Sequence, residues 1–279
     1  MIQKSYEVDN CLYLVPTPIG NFDDMTLRGI KVLESVDYIL CEDTRVTKIL
    51  LDHFNIKKKL VSCHEHNENQ IKEKICNDIK GGMSIALVTD QGSPIISDPG
   101  AKVVSYLTKE GITVVALPGA TAFVPAVMAS GIDSDNFLFY GFLDSKQSHR
   151  RKQLEELKGI KYPIIFYESV HRIKDSLKDI YNIFGDRSIS IARELSKIHE
   201  EITRGKISEI LDMNIVEKGE FVLFVEGNTN TYNYSDVSVL EHVKIYLSDG
   251  YTEKEAIKLV AKDRGVKKSD IYKEYHIGK

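Results

Sequence analysis

Three short loops carry the residues best suited to hold a small molecule. They occupy residues 18–21, 90–94 and 118–121, and each follows an apolar run typical of a buried strand. Each contains a glycine, which lets the backbone turn sharply or approach a ligand closely. A single glycine at a strand end is common in structural turns and does not by itself indicate a binding site. Because ligands of open α/β sheets bind beyond the carboxyl ends of strands, the three loops together predict one binding cleft.

The middle loop is the most constrained part of the chain. Residues 85–88 read Ile-Ala-Leu-Val, a pattern typical of a buried strand. Two prolines and two glycines then exclude regular structure until about residue 101. We therefore expect a stiff, shaped loop in which residues 91–93 face the ligand.

Charged residues follow several other predicted strands. At residues 42–45, Glu-Asp-Thr-Arg, Asp43 or Thr44 could cap a helix, or Asp43 and Arg45 could face a substrate. The sequence leaves both interpretations open. In the second half, residues 167–172 and 192–197 also bring charged side chains to strand ends, where a purely structural turn would use Gly or Asn.

The densest cationic stretch lies at residues 146–152, at the predicted start of a helix. It contains Lys146, Arg150, Arg151 and Lys152. A solvated helix start is the plain alternative, but cations near a helix N-terminus oppose the helix dipole. The stretch therefore favours contact with an anionic partner such as RNA.

Several classes of protein and site are excluded or disfavoured by the sequence. The formal net charge of −4 gives no global attraction to nucleic acid, so RNA contact must come from a local patch. Neither a dinucleotide-binding nor a P-loop glycine motif is present. Residues 63–66, Cys-His-Glu-His, lack a second ligand pair at a fitting spacing, so we predict no metal site.

The spacing of the cysteines and the lengths of the apolar runs predict where in the cell the protein is located. The four cysteines show no paired spacing, which predicts a reducing, cytoplasmic location. The start of the chain lacks the apolar segment of a secretion signal, and no run of 18 apolar residues occurs anywhere. We expect no membrane association.

The elements that must position these residues form an α/β pattern. Five strands alternate with helices between residues 11 and 130, which predicts a largely parallel sheet. After a turn-rich break at 131–135, a second α/β series continues to residue 226. Two consecutive strands, 189–193 and 202–204, predict more antiparallel pairing there. The predicted domains are residues 1–122, residues 123–230 and a helical tail at residues 231–279.

The tail follows a polar segment at residues 227–233, which we interpret as a linker. Residues 252–255, Thr-Glu-Lys-Glu, form a capping-box pattern at the start of a helix. Two short helices around a glycine turn make the tail similar to a helix-turn-helix. Such hairpins are also common packing elements, so nucleic-acid contact and structural capping both stay open.

The motifs, taken in order, resemble one family. They lie at residues 14–21, 42–45, 64–67, 90–100, 166–172 and 193–197. They are similar to the 16S ribosomal RNA (cytidine-2′-O)-methyltransferases of the tetrapyrrole-methylase-like superfamily, in which a helix-turn-helix-like tail is also usual. The resemblance implies a homodimer of two-domain α/β chains that binds S-adenosylmethionine between the domains. It also implies methylation of a cytidine ribose 2′-oxygen at the decoding centre of the small ribosomal subunit.

The resemblance also implies which residues touch the cofactor. They are Ile19, Gly20, Asp90, Gln91, Gly92, Ser93, Thr121, Ala122, Glu168 and Leu195. The last two fall where the second domain closes over the nucleoside. Ser93 stands where many small-molecule relatives carry Asp, which is a departure within the cofactor loop.

A ribose hydroxyl is a poor nucleophile, so a base or a stabilising cation should assist the transfer. We expect Asp43 or Glu168 as the base, and Arg45, Arg193 or Lys197 as the stabilising charge. Two rival functions stay open. One is a tetrapyrrole-type small-molecule methyltransferase, and the other is a non-enzymatic RNA-binding assembly protein.

Overall fold

The computed structural model describes residues 2–6, 8–133, 135–213, 215–216, 218–229, 237–248 and 250–277. By its internal contacts the chain divides into a body, Met1–Gly227, and a C-terminal unit, Asn228–Lys279. Each is described by itself. Residues 230–233 of the predicted linker lie outside the described residues.

The first half of the body is a five-stranded parallel sheet, as the alternating pattern predicts. Its strands are β1 Leu12–Leu14, β2 Tyr38–Cys41, β3 Lys59–Ser62, β4 Ile85–Leu87 and β5 Val114–Ala116. Their order is β3-β2-β4-β1-β5, and every neighbouring pair is parallel. The connecting helices are α1 Leu27–Ser35, α2 Thr44–His53, α3 Glu68–Lys80, α4 Ala101–Lys109 and α5 Phe123–Met128.

Both faces of this sheet are covered, which is the usual state of a parallel sheet. Successive β2 residues show it: Ile39 packs in one apolar cluster with Leu33 of α1. Leu40 packs in another cluster with Ile75 of α3 and Leu107 of α4. Because both faces are buried, only the ends of the strands can open toward a ligand.

The second half of the body is a mixed five-stranded sheet. Its strands are β6 Leu138–Phe142, β7 Ile164–Ser169, β8 Ser188–Arg193, β9 Glu201–Lys206 and β10 Glu220–Val225. The order is β6-β7-β10-β8-β9. Only β6 and β7 pair in parallel among these strands, and the consecutive β8 and β9 pair antiparallel, as predicted. The helices are α6 Gln147–Leu157, α7 Ile173–Phe184 and α8 Ile207–Asp212.

The two faces of the second sheet have different partners. One face packs against α6, α7 and α8 in an apolar cluster that includes Leu154, Leu177 and Ile207. The other face meets α5 and loops of the first half in a cluster that includes Ile19 and Phe224. The second sheet therefore packs against the strand-end loops of the first sheet.

The C-terminal unit contains three helices with a core of their own. They are α9 Val239–Ser248, α10 Glu253–Asp263 and α11 Lys268–Ile277. Val243, Ile257 and Ile271 are buried together. The predicted capping box is present at the start of α10, where the backbone N–H of Thr252 donates to the Glu255 carboxylate at 3.0 Å. Among the described residues, no helix has the length and apolar content needed to cross a bilayer.

Candidate functional site

A cavity of about 460 Å³ lies between the two sheets of the body, at the carboxyl ends of the first sheet's strands. Its size is within the usual range of small-molecule sites. Every residue that the resemblance implies for the cofactor lines this cavity except Gly20, which lines a smaller neighbouring pocket. The lining members are Ile19, Asp90, Gln91, Gly92, Ser93, Thr121, Ala122, Glu168 and Leu195.

Hydrogen bonds join the three glycine-bearing loops. Thr17 and Gly92 exchange backbone hydrogen bonds of 2.8 and 3.0 Å. The Ser93 hydroxyl donates to the carbonyl oxygen of Ala120 at 2.9 Å, which connects the second loop to the third. The loops are separate in sequence, but they form one continuous wall of the cavity.

Gly92 is required by its backbone conformation. Its φ of +87° lies in the region that side chains other than glycine rarely adopt. A Cβ built at this position would lie 3.5 Å from Ile19 Cγ2, which is ordinary contact rather than a clash. Two non-glycine residues further along the same loop, Ile95 and Ser97, also have positive φ, at 77° and 66°. The loop thus holds strain of the kind that concentrates at functional sites.

The opposite wall is formed by the segment around Leu195. Leu195 is buried between Glu194 and Ser196, whose φ angles are 52° and 67°. The Ser196 hydroxyl hydrogen-bonds to Asp24 of the first half. The aliphatic stem of Lys197 occupies the space that a side chain on Gly20 would need. Gly20 therefore allows the two halves of the body to meet beside the cavity.

The predicted base Glu168 lines the cavity, but protein groups hold both of its carboxylate oxygens. Arg172 Nη2 lies 2.9 Å from Oε1, and the backbone N–H of Ser169 donates to the same oxygen at 2.8 Å. The Ser176 hydroxyl donates to Oε2. This geometry gives Glu168 a structural role in the wall, and its role as a base stays a prediction.

Asp43 and Arg45 do not line the cavity. Asp43 is the N-cap of α2 and accepts from the backbone N–H of Arg45 at 2.8 Å, which confirms the capping interpretation. The side-chain hydrogen bonds from Arg45 lower the pKa of Asp43 to about 2. A carboxylate with so low a pKa is a weak proton acceptor. The Arg45 side chain is 89% exposed. Their catalytic roles stay predictions that this geometry does not favour.

The predicted cations of the second half are both paired. Arg193 Nη2 lies 2.8 Å from Glu201 Oε2, and both residues line a separate pocket rather than this cavity. Lys197 Nζ lies 3.0 Å from Glu194 and 2.9 Å from Glu220, and Glu220 itself lines the cavity. Lys197 is thus the nearer of the two to the site.

The structure corrects one member of the predicted RNA-binding stretch. The Arg150 side chain is only 3% exposed, and its Nη2 lies 2.7 Å from Asp179 Oδ2 of α7. Arg150 shares the inward face of α6 with Leu154 and Leu157, and this i, i+4, i+7 spacing was the available signal. We therefore withdraw it from the RNA-binding set. Lys146, Arg151 and Lys152 are exposed.

The sequence prediction missed two aromatic residues of the cavity, Phe142 and Tyr167. A register shift between Phe139 and Gly141 marks an irregularity in β6, directly before Phe142. Phe142 is 49% exposed, and its ring meets that of Tyr167 edge to face at 5.5 Å. Burial raises the pKa of Tyr167 above its ordinary value.

The prediction also missed Asp98, which lines the cavity. Burial raises the pKa of Asp98 to about 6, and the negative charges of Glu42 and Asp90 add to the shift. The available signal was an Asp between the apolar pair 95–96 and the following proline. Its burial depends on contacts with distant parts of the chain, which the sequence does not display.

Comparisons with known proteins match this architecture. Residues 11–211 match the family described as Tetrapyrrole (Corrin/Porphyrin) Methylases. The chain is 48% identical to ribosomal RNA small subunit methyltransferase I of Halalkalibacterium halodurans, over 98% of each chain. It is also 48% identical to the protein of that name from Bacillus subtilis, over 95% of this chain and 94% of the other.

A solved structure shows the same fold at much lower identity. It is uroporphyrin-III C-methyltransferase from Thermus thermophilus complexed with S-adenyl homocysteine, with a TM-score of 0.57 and 15% identity. The match covers 78% of this chain and 97% of that one. The chain therefore belongs to the tetrapyrrole (corrin/porphyrin) methylase family and, within it, to the group of its ribosomal RNA small subunit methyltransferase I relatives.

Proposed function

We propose that this protein transfers the methyl group of S-adenosylmethionine to ribosomal RNA of the small subunit. The observation that carries the proposal is that nine of the implied cofactor residues line the same cavity, while Gly20 lines the neighbouring pocket. The names of the relatives that match almost the whole chain support the RNA substrate. The division into domains 1–122, 123–230 and a tail at 231–279 is part of the same proposal.

The residues of the cavity suit S-adenosylmethionine. The lining offers apolar contact from Ile19, Ala122 and Leu195, and it also offers polar groups, among them the Asp90 carboxylate and the Gln91 amide. An adenine ring needs apolar walls, whereas an ammonium and a ribose need acceptors. The related uroporphyrin-III C-methyltransferase is complexed with S-adenyl homocysteine, which also supports this cofactor.

For the target we propose the 2′-oxygen of a cytidine ribose in 16S rRNA, methylated by a cytoplasmic homodimer. The cation patch supports an RNA substrate, because exposed Lys146, Arg151 and Lys152 begin only four residues after the cavity residue Phe142. Such cations hold phosphates without reading sequence. The RNA backbone would then cross the start of α6 and present one nucleotide to the cavity.

The main contribution of the chain to the reaction is to align the methyl donor with the acceptor oxygen. S-adenosylmethionine supplies an already activated methyl group on its sulfonium sulfur. The joined loops around Gly92 hold one reactant, and the buried Leu195 adds an apolar side chain to the opposite wall. Positioning of two reactants can provide much of an enzyme's rate enhancement.

The test is methyl transfer from labelled cofactor to 30S subunits and to free 16S rRNA. We expect label in the RNA of at least one substrate. Label only in an added tetrapyrrole precursor would instead support a small-molecule methyltransferase. Absence of S-adenosylmethionine binding by calorimetry would contradict the enzyme function and support an RNA-binding assembly protein.

A further inference from the structure

Four carboxylates line the cavity, and two of them are neutralised by cations. Glu168 pairs with Arg172 at 2.9 Å, and Glu220 pairs with Lys197 at 2.9 Å. Cations of the protein itself therefore engage these two carboxylates.

The other two, Asp90 and Asp98, differ in what holds them. Asp90 Oδ1 accepts the backbone N–H of Asp43 at 3.1 Å, so it anchors the start of α2. Within the part of the chain that the structure describes, no lysine or arginine lies within ion-pair distance of Asp98. The Thr89 hydroxyl, which donates to Glu42 Oε2 at 3.5 Å, also lies close enough to Asp98 to favour its ionised form, and Glu42 and Asp90 lie close enough to repel its charge. Asp98 is thus the cavity carboxylate most ready to take a proton.

The backbone around Asp98 is fixed on both sides. On one side, Ser97 Oγ lies 3.0 Å from the position that a Cβ on Gly141 would occupy, so the loop packs closely on β6. On the other side, the buried Glu68 carboxylate accepts the backbone N–H of Gly100. A side chain held between two such contacts can keep a constant position relative to a bound substrate.

The proposed reaction needs a proton acceptor. The S–CH₃ bond breaks with its electron pair left on sulfur, a new O–CH₃ bond forms, and the ribose O–H bond must also break. The reaction therefore releases one proton for each methyl group transferred. Removal of that proton during transfer makes the oxygen a better nucleophile.

We propose that Asp98 is the general base that takes the 2′-hydroxyl proton onto its carboxylate. The inference rests on the proposed function and adds a catalytic residue to it. Thr89 acts through Asp98 as a positioning residue, because its hydroxyl stabilises the ionised carboxylate. Groups facing Asp98 are Glu42 after β2, Asp90 after β4 and Tyr167 on β7.

The test compares Asp98→Asn with wild type and with Asp52→Asn, a control on the exposed face of α2. Asparagine keeps the shape of Asp98 and removes its charge. With cofactor and RNA saturating, we expect Asp98→Asn to transfer methyl at least ~100-fold more slowly, the low end for loss of a general base. Cofactor affinity by calorimetry should change by less than about threefold, and Asp52→Asn should match wild type.

Two further readouts separate a base from a structural residue. The wild-type rate should rise with pH through about 6, and Asp98→Asn should lose this dependence. Thr89→Val should move this rise of the rate to higher pH. A carboxyl ¹³C signal that titrates near this pH should be present in wild-type protein without RNA and absent from Asp98→Asn.

Three results would overturn the inference. In the first, Asp98→Asn keeps the wild-type rate and pH profile. In the second, it loses cofactor affinity while the saturated rate is unchanged, which would make Asp98 a cofactor ligand. In the third, wild-type protein methylates no RNA; the proposed function then fails first, and the wild-type measurement made before any variant identifies that case.

Discussion

Thr17 and Gly92 stand 75 residues apart in the chain and exchange two backbone hydrogen bonds, of 2.8 and 3.0 Å. These bonds join the loop after β1 to the loop after β4. With the bond from Ser93 to Ala120, they make three separate loops one rigid wall. The wall depends on the backbone conformation of Gly92, whose φ is +87°.

Replacing Gly92 by valine should weaken S-adenosylmethionine binding by at least ~10-fold, because a β-branched residue at positive φ must shift the wall. Calorimetry of cofactor binding measures the effect. Gly82→Val is the matched control, since Gly82 has φ +105°, open space around it and a position outside the cavity lining. Cofactor affinity equal to wild type in Gly92→Val would mean that the loop is only structural.

Glu168→Gln should reduce stability more than it reduces catalysis. The change removes the fully buried counter-charge of the partly buried Arg172 guanidinium, which should lower the free energy of unfolding by about 2 kcal/mol. Urea denaturation with an unchanged m-value would show this. At low temperature, where the variant is folded, we expect its transfer rate to fall by less than about 10-fold. A larger loss in fully folded protein would favour Glu168 as the base.

Replacing Lys146 and Lys152 together by alanine should weaken RNA binding and reduce its dependence on salt. Loss of two phosphate contacts should lower the slope of log affinity against log salt by about 2. Filter binding over a range of salt concentrations measures this slope. The control is the double change of two exposed lysines, Lys57 just before β3 and Lys59 at its first position. Equal effects from both pairs would contradict a specific RNA path across α6.

Arg150→Ala should behave differently from those surface changes. It leaves Asp179 with its carboxylate buried and its main partner removed, so we expect a loss of about 3 kcal/mol in the free energy of unfolding. RNA affinity of the folded fraction should stay near wild type. A stable Arg150→Ala protein with weakened RNA binding would restore the original prediction for this residue.

Asp98→Asn should stabilise the protein at neutral and alkaline pH. Because the folded state raises the pKa of Asp98 to about 6, ionisation opposes folding. This penalty begins above the unfolded pKa of about 4, grows until the folded pKa and is fully present above it. Relative to wild type, we expect a gain of roughly 1–3 kcal/mol near pH 8 and almost none near pH 4. Equal gains at both pH values would contradict the burial of a charged Asp98.

Local patterns were sufficient for the elements and the loops. Apolar runs and glycine or proline stops predicted the five alternating strands of the first half, and two consecutive strand patterns predicted the antiparallel pairing of β8 with β9. The loop glycines were recognisable because a turn at a strand end needs them. The order β3-β2-β4-β1-β5 was not predicted, because strand order depends on how distant segments pack.

The environment of each charged side chain could not be predicted from local sequence patterns. The charges of Glu168, Arg150 and Asp98 are equally visible in the sequence. Their roles separate only in the folded chain, where Asp179 of α7 lies opposite Arg150 and Arg172, the residue before α7, lies opposite Glu168. Asp98 lacks such a partner among the described residues, and this difference comes from tertiary contacts alone.

The central claim is methyl transfer to a ribose oxygen of ribosomal RNA, and alkaline hydrolysis of the labelled product tests it most directly. A 2′-O-methyl group blocks cleavage of the following phosphodiester, since the attacking hydroxyl is gone. After incubation with labelled S-adenosylmethionine and 30S subunits or 16S rRNA, we predict label in an alkali-resistant dinucleotide that begins with cytidine. Label confined to single nucleotides would indicate base methylation, and RNA without label would contradict the account.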